Sequence, residues 1–235
     1  MMRSAYPWPV RKFQAIVFDF DGVILDTETT LFQSWVALFE YYGCPPPSLT
    51  EWARQLGTSE RPNLLAELAG SSKVRIDEQE ATRRRVALSK ELIRRQSVQP
   101  GIAEWLNEAR RHRYPVAVAS SSPISWVSGH LQRLDLADYF STLVCCDADI
   151  RSKPTPDSYL RACRDLGVDP MHALAVEDSP NGIAAAKTAG LSCIAVPNSM
   201  TAGLDLAEAD LVVPSLADLS ISDVVKQLEE RRAKP

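Results

Sequence analysis

Phe13-Gln14-Ala15-Ile16-Val17-Phe18-Asp19-Phe20-Asp21-Gly22-Val23 is the stretch on which the fold turns. An apolar run of strand length ends in two carboxylates two residues apart. An uncompensated carboxylate in an apolar core is very costly, so Asp19 and Asp21 belong at the mouth of the strand rather than within it. With one residue between them they point to the same side. The carboxyl edge of a parallel sheet is where α/β proteins place ligands. Two acids held there suit a hard metal ion, a nucleophile and an acid/base group.

Working outward from this run, the chain after Arg113 alternates short apolar runs with helical patterns. Strands are predicted at Pro115–Ala119, Thr142–Cys146, Ala173–Glu177, Leu191–Val196 and Asp210–Val213. Helices are predicted at Pro123–Leu134, Pro156–Leu166, Pro180–Ala189 and Ile221–Arg232, with prolines suited to first turns and Gly167 and Gly190 at helix stops. Such alternation predicts right-handed βαβ units and a doubly wound, Rossmann-like α/β sheet. The segment from Glu28 to Ser97 differs. It shows helical periodicity over Leu31–Tyr42, Leu49–Leu56, Asn63–Ala69 and Asp77–Gln96, broken by Gly43, Pro45-Pro46-Pro47, Pro62 and Gly70, and has no strand-like run. The expected organisation is therefore a core of residues 1–27 and 98–235 with an inserted helical cap over 28–97. Phe32, Trp35, Phe39 and Tyr42 recur at helical spacing and read as packing of that insert.

Composition bounds the function. The 235 residues suffice for a sizeable core, and 45% hydrophobic with 24% charged residues is ordinary for a globular enzyme. A net charge of −4 argues against a nucleic-acid polymer as partner. Arg83-Arg84-Arg85 and Arg110-Arg111-His112-Arg113 read as solvated helix faces. No run approaches the roughly 18 apolar residues of a membrane helix, and Met1–Lys12 holds no apolar core of a signal peptide. Five cysteines without a CxxC pair read as reduced thiols, so a cytoplasmic protein is expected; a monomer is the default expectation.

Four features distant in sequence fall at the carboxyl ends of predicted strands: Asp19 with Asp21, Ser120-Ser121-Ser122, Lys153, and Glu177 with Asp178. Each alone has a plain structural reading as a cap, a turn or a surface loop. Together they share one sheet edge and their chemistry is complementary. Carboxylates from two strands can hold Mg²⁺. Hydroxyls and backbone N–H groups at a helix start can hold phosphate oxygens, and a lysine adds a point charge for the same anion. A carboxylate nucleophile and a carboxylate proton shuttle complete a site for phosphoryl transfer.

Asp19-Phe20-Asp21-Gly22-Val23-Ile24-Leu25-Asp26-Thr27-Glu28 resembles the first motif of the haloacid dehalogenase superfamily. Val118-Ala119-Ser120-Ser121-Ser122 resembles the second, Lys153-Pro154-Thr155-Pro156-Asp157 the third, and Val176-Glu177-Asp178-Ser179-Pro180-Asn181-Gly182-Ile183 the fourth. The match runs from Phe13 to about Val213 and is closest to the phosphatase and β-phosphoglucomutase-like branch, whose helical cap follows the first motif. The resemblance implies that Asp19 attacks phosphorus and that Asp21 protonates the leaving oxygen and later activates water. It implies that Ser120, Ser121 and Lys153 hold the phosphoryl group. Asp19, Asp178 and the backbone carbonyl of Asp21 would ligate Mg²⁺, with Glu177 a further ligand or a support to one. Thr27 and Glu28 would lie at the cap hinge, touching substrate or Asp21.

Departures from neighbouring activities narrow the reading. The dehalogenases and phosphonate hydrolases of the superfamily lack an acid two residues after the nucleophile, whereas Asp21 is present. The mutases resembled here carry basic residues around a cap-loop glycine and a histidine in the first cap helix. At the matching positions stand Leu56 and Glu60 around Gly57, and Leu31. The expectation is a Mg²⁺-dependent phosphatase of a small phosphorylated metabolite such as a sugar phosphate. A phosphoglucomutase-like enzyme is the alternative, and a non-catalytic phosphometabolite-binding protein the alternative of another class. Arg54, Gly57, Thr58 and Glu60 are the cap residues expected to set the substrate. No GxGxxG or Walker-type motif supports a nucleotide-binding oxidoreductase, and no GxSxG supports a serine hydrolase.

Overall fold

The computed structural model describes residues 13–57, 63–147 and 149–233. Six parallel strands form one sheet in the order β3-β2-β1-β4-β5-β6. They are β1 (Ala15–Phe18), β2 (Val116–Ala119), β3 (Thr142–Val144), β4 (Ala173–Glu177), β5 (Ser192–Ala195) and β6 (Leu211–Val212). The α/β, doubly wound Rossmann-like class expected from the sequence is the one observed. The strand order turns back at β1, which lies between β2 and β4, so Asp19 leaves the sheet at its topological switch point.

The two faces of the sheet are packed differently, following the twofold period of strand side chains. Ile16, Phe18, Val116, Val118, Leu174, Val176 and Ile194 point to one side, into a core shared with Trp105, Leu106, Val127, Leu131 and Val224. Helices α5 (Ile102–His112), α6 (Ile124–Arg133) and α9 (Ile221–Ala233) supply those partners. The other side carries Val17 with Ala117, Ala119, Ala173, Ala175 and Ala195, opposite Ala162, Ala185 and Ala186. Small residues on both surfaces let α7 (Asp157–Leu166) and α8 (Pro180–Thr188) approach the sheet closely.

Between β1 and α5 lie α1 (Thr27–Tyr41), α2 (Leu49–Ala53), α3 (Leu64–Ser71) and α4 (Glu78–Arg94). Their starts are capped by Asp26, Ser48, Asn63 and Asp77, each side chain accepting from a first-turn N–H. These helices bury their own apolar cluster of Leu38, Phe39, Trp52, Leu56, Leu64 and Leu68, which also takes in Met200 from the loop after β5. No helix among the described residues is long and apolar enough to cross a membrane.

Some boundaries move. Helix α1 begins at Thr27 rather than Leu31, because its first turn is polar yet buried (Thr27, Glu28 and Thr30) and escapes apolar periodicity. Helix α2 stops at Ala53 rather than Leu56, and turn residues 54–57 carry the chain to Gly57 with φ +82°. Pro123 and Pro156 stand at the N-cap, one residue before their helices, whereas Pro180 opens α8 as expected. Cys145 and Cys146 lie just past β3 rather than within it, and all five cysteines are unpaired.

The start of α9 is tied to α5 by one carboxylate. Glu108 accepts from the Ile221 and Ser222 backbone N–H groups at 3.1 and 3.2 Å and from Ser222 Oγ at 3.2 Å. An anion at a helix N-terminus also meets the positive end of the helix dipole. Glu108→Ala is expected to lower unfolding free energy by about 1–3 kcal/mol in a denaturant titration; an unchanged midpoint would remove Glu108 from the account of how α9 docks.

Candidate active site

The ladder brings four strand ends to one edge. The Asp19 N–H donates to Val176 O at 2.9 Å, so pairing with β4 continues through the aspartate. The Ser120 N–H donates to Val144 O at 2.9 Å in the same way from β2. Lys153 comes in from the loop between β3 and α7, its N–H donating to Ser121 Oγ at 3.1 Å.

Lys153 is 1% exposed, and its ammonium sits 2.6 Å from Asp19 Oδ1 and 2.6 Å from Glu177 Oε1. Tyr159 OH donates to the same Glu177 oxygen at 2.6 Å. The other Glu177 oxygen accepts from the Asp178 N–H at 3.1 Å. Burial alone would pull the lysine down, but Asp19 and Glu177 outweigh it and hold Lys153 above the ordinary lysine value. Burial pushes the Asp19 carboxyl up to about 8, with Lys153 opposing and Glu177 and Asp21 adding to the rise. Burial likewise raises Asp178, helped by Asp19 and Glu177 and, further out, by Glu28.

Asp19, Glu177 and Asp178 offer carboxylate oxygens that all lie within 4.8 Å of one another. Three carboxylates against one ammonium leave two negative charges, which a single divalent cation would neutralise. The donor set is all oxygen, as Mg²⁺ requires. The raised Asp19 and Asp178 carboxyls are what such a site shows when that positive charge is missing from the balance. The residues therefore fit a divalent metal.

Close packing fixes the cluster. Gly22 has φ +91°, and a Cβ there would lie 2.2 Å from Asp178 Oδ2. Asn198, from the loop after β5, donates to Asp178 Oδ2 at 2.7 Å and to Gly22 O at 3.2 Å. A Cβ on Gly182 would stand 2.0 Å from the Glu177 carboxylate.

Asp21 lies apart from the ammonium, in a cage of donors. Thr27 Oγ1 at 2.6 Å and Trp126 Nε1 at 2.9 Å reach Oδ1, while Ser122 Oγ at 2.6 Å and Ser120 Oγ at 3.4 Å reach Oδ2. Ser121 Oγ donates instead to Gly57 O at 2.8 Å, and Asn181 Nδ2 to Leu56 O at 2.8 Å, so the end of the α2 turn is tied to the sheet edge. A Cβ on Gly57 would lie 2.3 Å from Ser179 Oγ.

The structure thus gathers Asp19, Asp21, Ser120, Ser121, Lys153, Glu177, Asp178, Thr27 and Gly57 at one edge, with Glu28 buried in the first turn of α1. Arg54 is exposed at the end of α2, on an outward groove with Ser48, Glu51 and Glu67. Thr58 and Glu60 lie outside the described residues. Sequence reading missed Trp126, Tyr159 and Asn198. Asn198 had a usable signal, since it follows the fifth strand at the same edge. Tyr159 and Trp126 sit in amphipathic helices, where aromatic residues read as packing.

A model of the haloacid dehalogenase-like hydrolases matches residues 16–196. YhcW of Bacillus subtilis (strain 168), provisionally named a phosphatase, is 36% identical over 221 residues, 93% of this chain and 99% of that protein. The phosphorylated carbohydrates phosphatase of Thermotoga maritima is 34% identical over 204 residues, 85% of this chain and 92% of that one. The crystal structure of CbbY from Rhodobacter sphaeroides in complex with phosphate superposes with a TM-score of 0.72 at 28% identity, covering 90% of this chain and 98% of that one. The chain belongs to the haloacid dehalogenase-like hydrolases. Its enzyme class is that of the phosphoric monoester hydrolases.

Because the Gly182 backbone is in contact with the Glu177 carboxylate, Gly182→Ala is expected to lower the melting temperature, at a cost of about 1–3 kcal/mol for overpacking. Calorimetry checks this, and a melting temperature equal to wild type would show that Glu177 can yield.

Proposed function

We propose that the chain is a Mg²⁺-dependent phosphatase of a small phosphate monoester, a sugar phosphate or related metabolite, acting through an aspartyl-phosphate on Asp19. The observation that carries this reading is the buried ammonium of Lys153 beside Asp19 within a carboxylate cluster two charges short of neutrality. We read residues 28–97, which hold α2–α4 and all of α1 after Thr27, as an inserted cap over a core of 1–27 and 98–235. Their separate apolar cluster and the Leu56 and Gly57 contacts to the sheet edge support that division.

Asp19 and Asp178, with the backbone carbonyl of Asp21, would hold the metal. Glu177 completes the cluster while orienting Lys153 and accepting from Tyr159. When bound, Mg²⁺ supplies the positive charge that keeps Asp19 ionised and offsets its repulsion with a phosphate dianion. Lys153 binds a transferring phosphoryl oxygen, and Ser120 with the N–H groups of the β2–α6 loop receives others. Asp19 Oδ attacks phosphorus in line, and Asp21 gives its proton to the departing ester oxygen. With the alcohol gone, Asp21 takes a proton from water as that water attacks phosphorus and releases Asp19.

Two observations weigh against the mutase alternative. Leu56, where the mutases resembled here carry a basic residue, is buried in the α1–α4 cluster, and Leu31, where they carry histidine, packs against that cluster. Neither position offers a cation to a second phosphate.

Phosphate release from a panel of phosphate monoesters, with and without Mg²⁺, tests the proposal. Release is expected to require Mg²⁺ and to fall roughly a thousandfold or more in Asp19→Asn. Activity surviving in that variant would end the nucleophile assignment.

Metal removal gives a second test. The folded Asp19 carboxyl at about 8 lies above its ordinary 3.8, and Asp178 is raised in the same direction. Between those values the folded state binds more protons than the unfolded one, so stability is present at low pH and lost as pH rises toward 8. Metal-free protein should therefore melt at lower temperature at pH 8 than at pH 5. Added Mg²⁺ should raise the melting temperature more at pH 8 than at pH 5; an equal increment at both would argue that the metal does not bind these carboxylates.

A further inference from the structure

Resting on the phosphatase reading, we propose that Trp126 is a positioning residue that fixes which oxygen of Asp21 carries the catalytic proton. Asp21 Oδ1 accepts from Thr27 Oγ1 at 2.6 Å and from Trp126 Nε1 at 2.9 Å. Oδ2 faces only hydroxyls, those of Ser122 at 2.6 Å and Ser120 at 3.4 Å.

The donors differ in kind. A hydroxyl rotates and can accept as well as donate, whereas an indole N–H donates only and lies fixed in the ring plane. A proton on Oδ1 would make that oxygen a poor acceptor, and the indole, which only donates, would lose most of its bond, whereas the Thr27 hydroxyl on the same oxygen could turn to accept. A proton on Oδ2 finds hydroxyl oxygens able to accept it. The indole thus directs the acid proton to Oδ2. In the first half-reaction the Oδ2–H bond breaks as the leaving oxygen gains the proton. In the second, a proton from the attacking water returns to Oδ2.

The donors also differ in where they are mounted. Thr27 opens α1, at the boundary between the core and the helical insert. Trp126 is on α6, whose Val127 and Leu131 are buried against the sheet. The indole meets His130 edge-on, with ring centroids 4.6 Å apart at 78°. His130 in turn stacks on Phe20, between the two aspartates, at 6.2 Å and 25°. This stack joins the indole to the loop that carries Asp21, so the Trp126 donor is mounted on the core independently of α1.

The test compares kcat/KM for the alkyl phosphate turned over fastest in the panel with that for p-nitrophenyl phosphate. The alkyl ester needs a proton on its leaving oxygen and the nitrophenyl ester does not. Trp126→Phe keeps an aromatic ring and removes the N–H. It is expected to lower the alkyl value about tenfold relative to the nitrophenyl value, a fraction of what general acid catalysis supplies, with Trp126→His recovering part of the ratio. Trp126→Leu serves the same comparison should the Phe variant not fold. A ratio equal to wild type, or equal losses on both esters, overturns the role of Trp126 and leaves the phosphatase reading standing. Wild-type protein that releases phosphate from neither ester overturns both.

Discussion

A buried lysine shared between two carboxylates is the constraint around which the rest of the structure is arranged. Lys153 cannot be charged at 1% exposure unless Asp19 and Glu177 accompany it. Burial and the neighbouring carboxylates raise Asp19 and Asp178 in turn. A buried ion pair is weak evidence for stability, since apolar residues of similar volume are often as good or better. Groups of this kind persist where chemistry needs perturbed carboxyls and a fixed ammonium. The surrounding tolerances follow from this. Tyr159 donates to Glu177, Asn198 to Asp178, and the glycines at 22 and 182 leave no room for a side chain between backbone and carboxylate.

The sheet serves the same end. Alanine on one face of β2, β4 and β5 lets α7 and α8 lie close. That closeness delivers Tyr159, from the first turn of α7, to Glu177 at the end of β4. A bulkier face would hold α7 further out and leave Glu177 with one donor fewer. The large residues on the opposite face, Phe18 and Trp105 among them, make the thicker core that anchors α5, α6 and α9. Through α6 this core also fixes Trp126.

The sheet was legible because its strands are short apolar runs between helical patterns, and the carboxyl-end acids marked its working edge. Asp19, Asp21, Ser120, Lys153, Glu177 and Asp178 could be placed because each directly follows or ends such a run, or sits in the loop behind one. The start of helix α1 escapes apolar periodicity because Thr27, Glu28 and Thr30 are polar residues that are nonetheless buried. Trp126 and Tyr159 were invisible for the converse reason. Each combines an apolar body with one polar tip, and a sequence displays the body's pattern while the tip's partner is set only by the fold. Arg54, three residues before Gly57, is exposed on a groove with Ser48, Glu51 and Glu67.

Ser121 shows how charge placement and the helical insert are connected. Its hydroxyl donates to Gly57 O and accepts from the Lys153 N–H. The same side chain thereby touches the insert and the loop that carries the catalytic ammonium. The insert side of this contact is a backbone carbonyl, as is the Leu56 carbonyl that meets Asn181. Both contacts use backbone carbonyls and neither uses a side chain of Leu56 or Gly57. Docking demands of position 57 that it have no side chain, because Ser179 Oγ occupies that space.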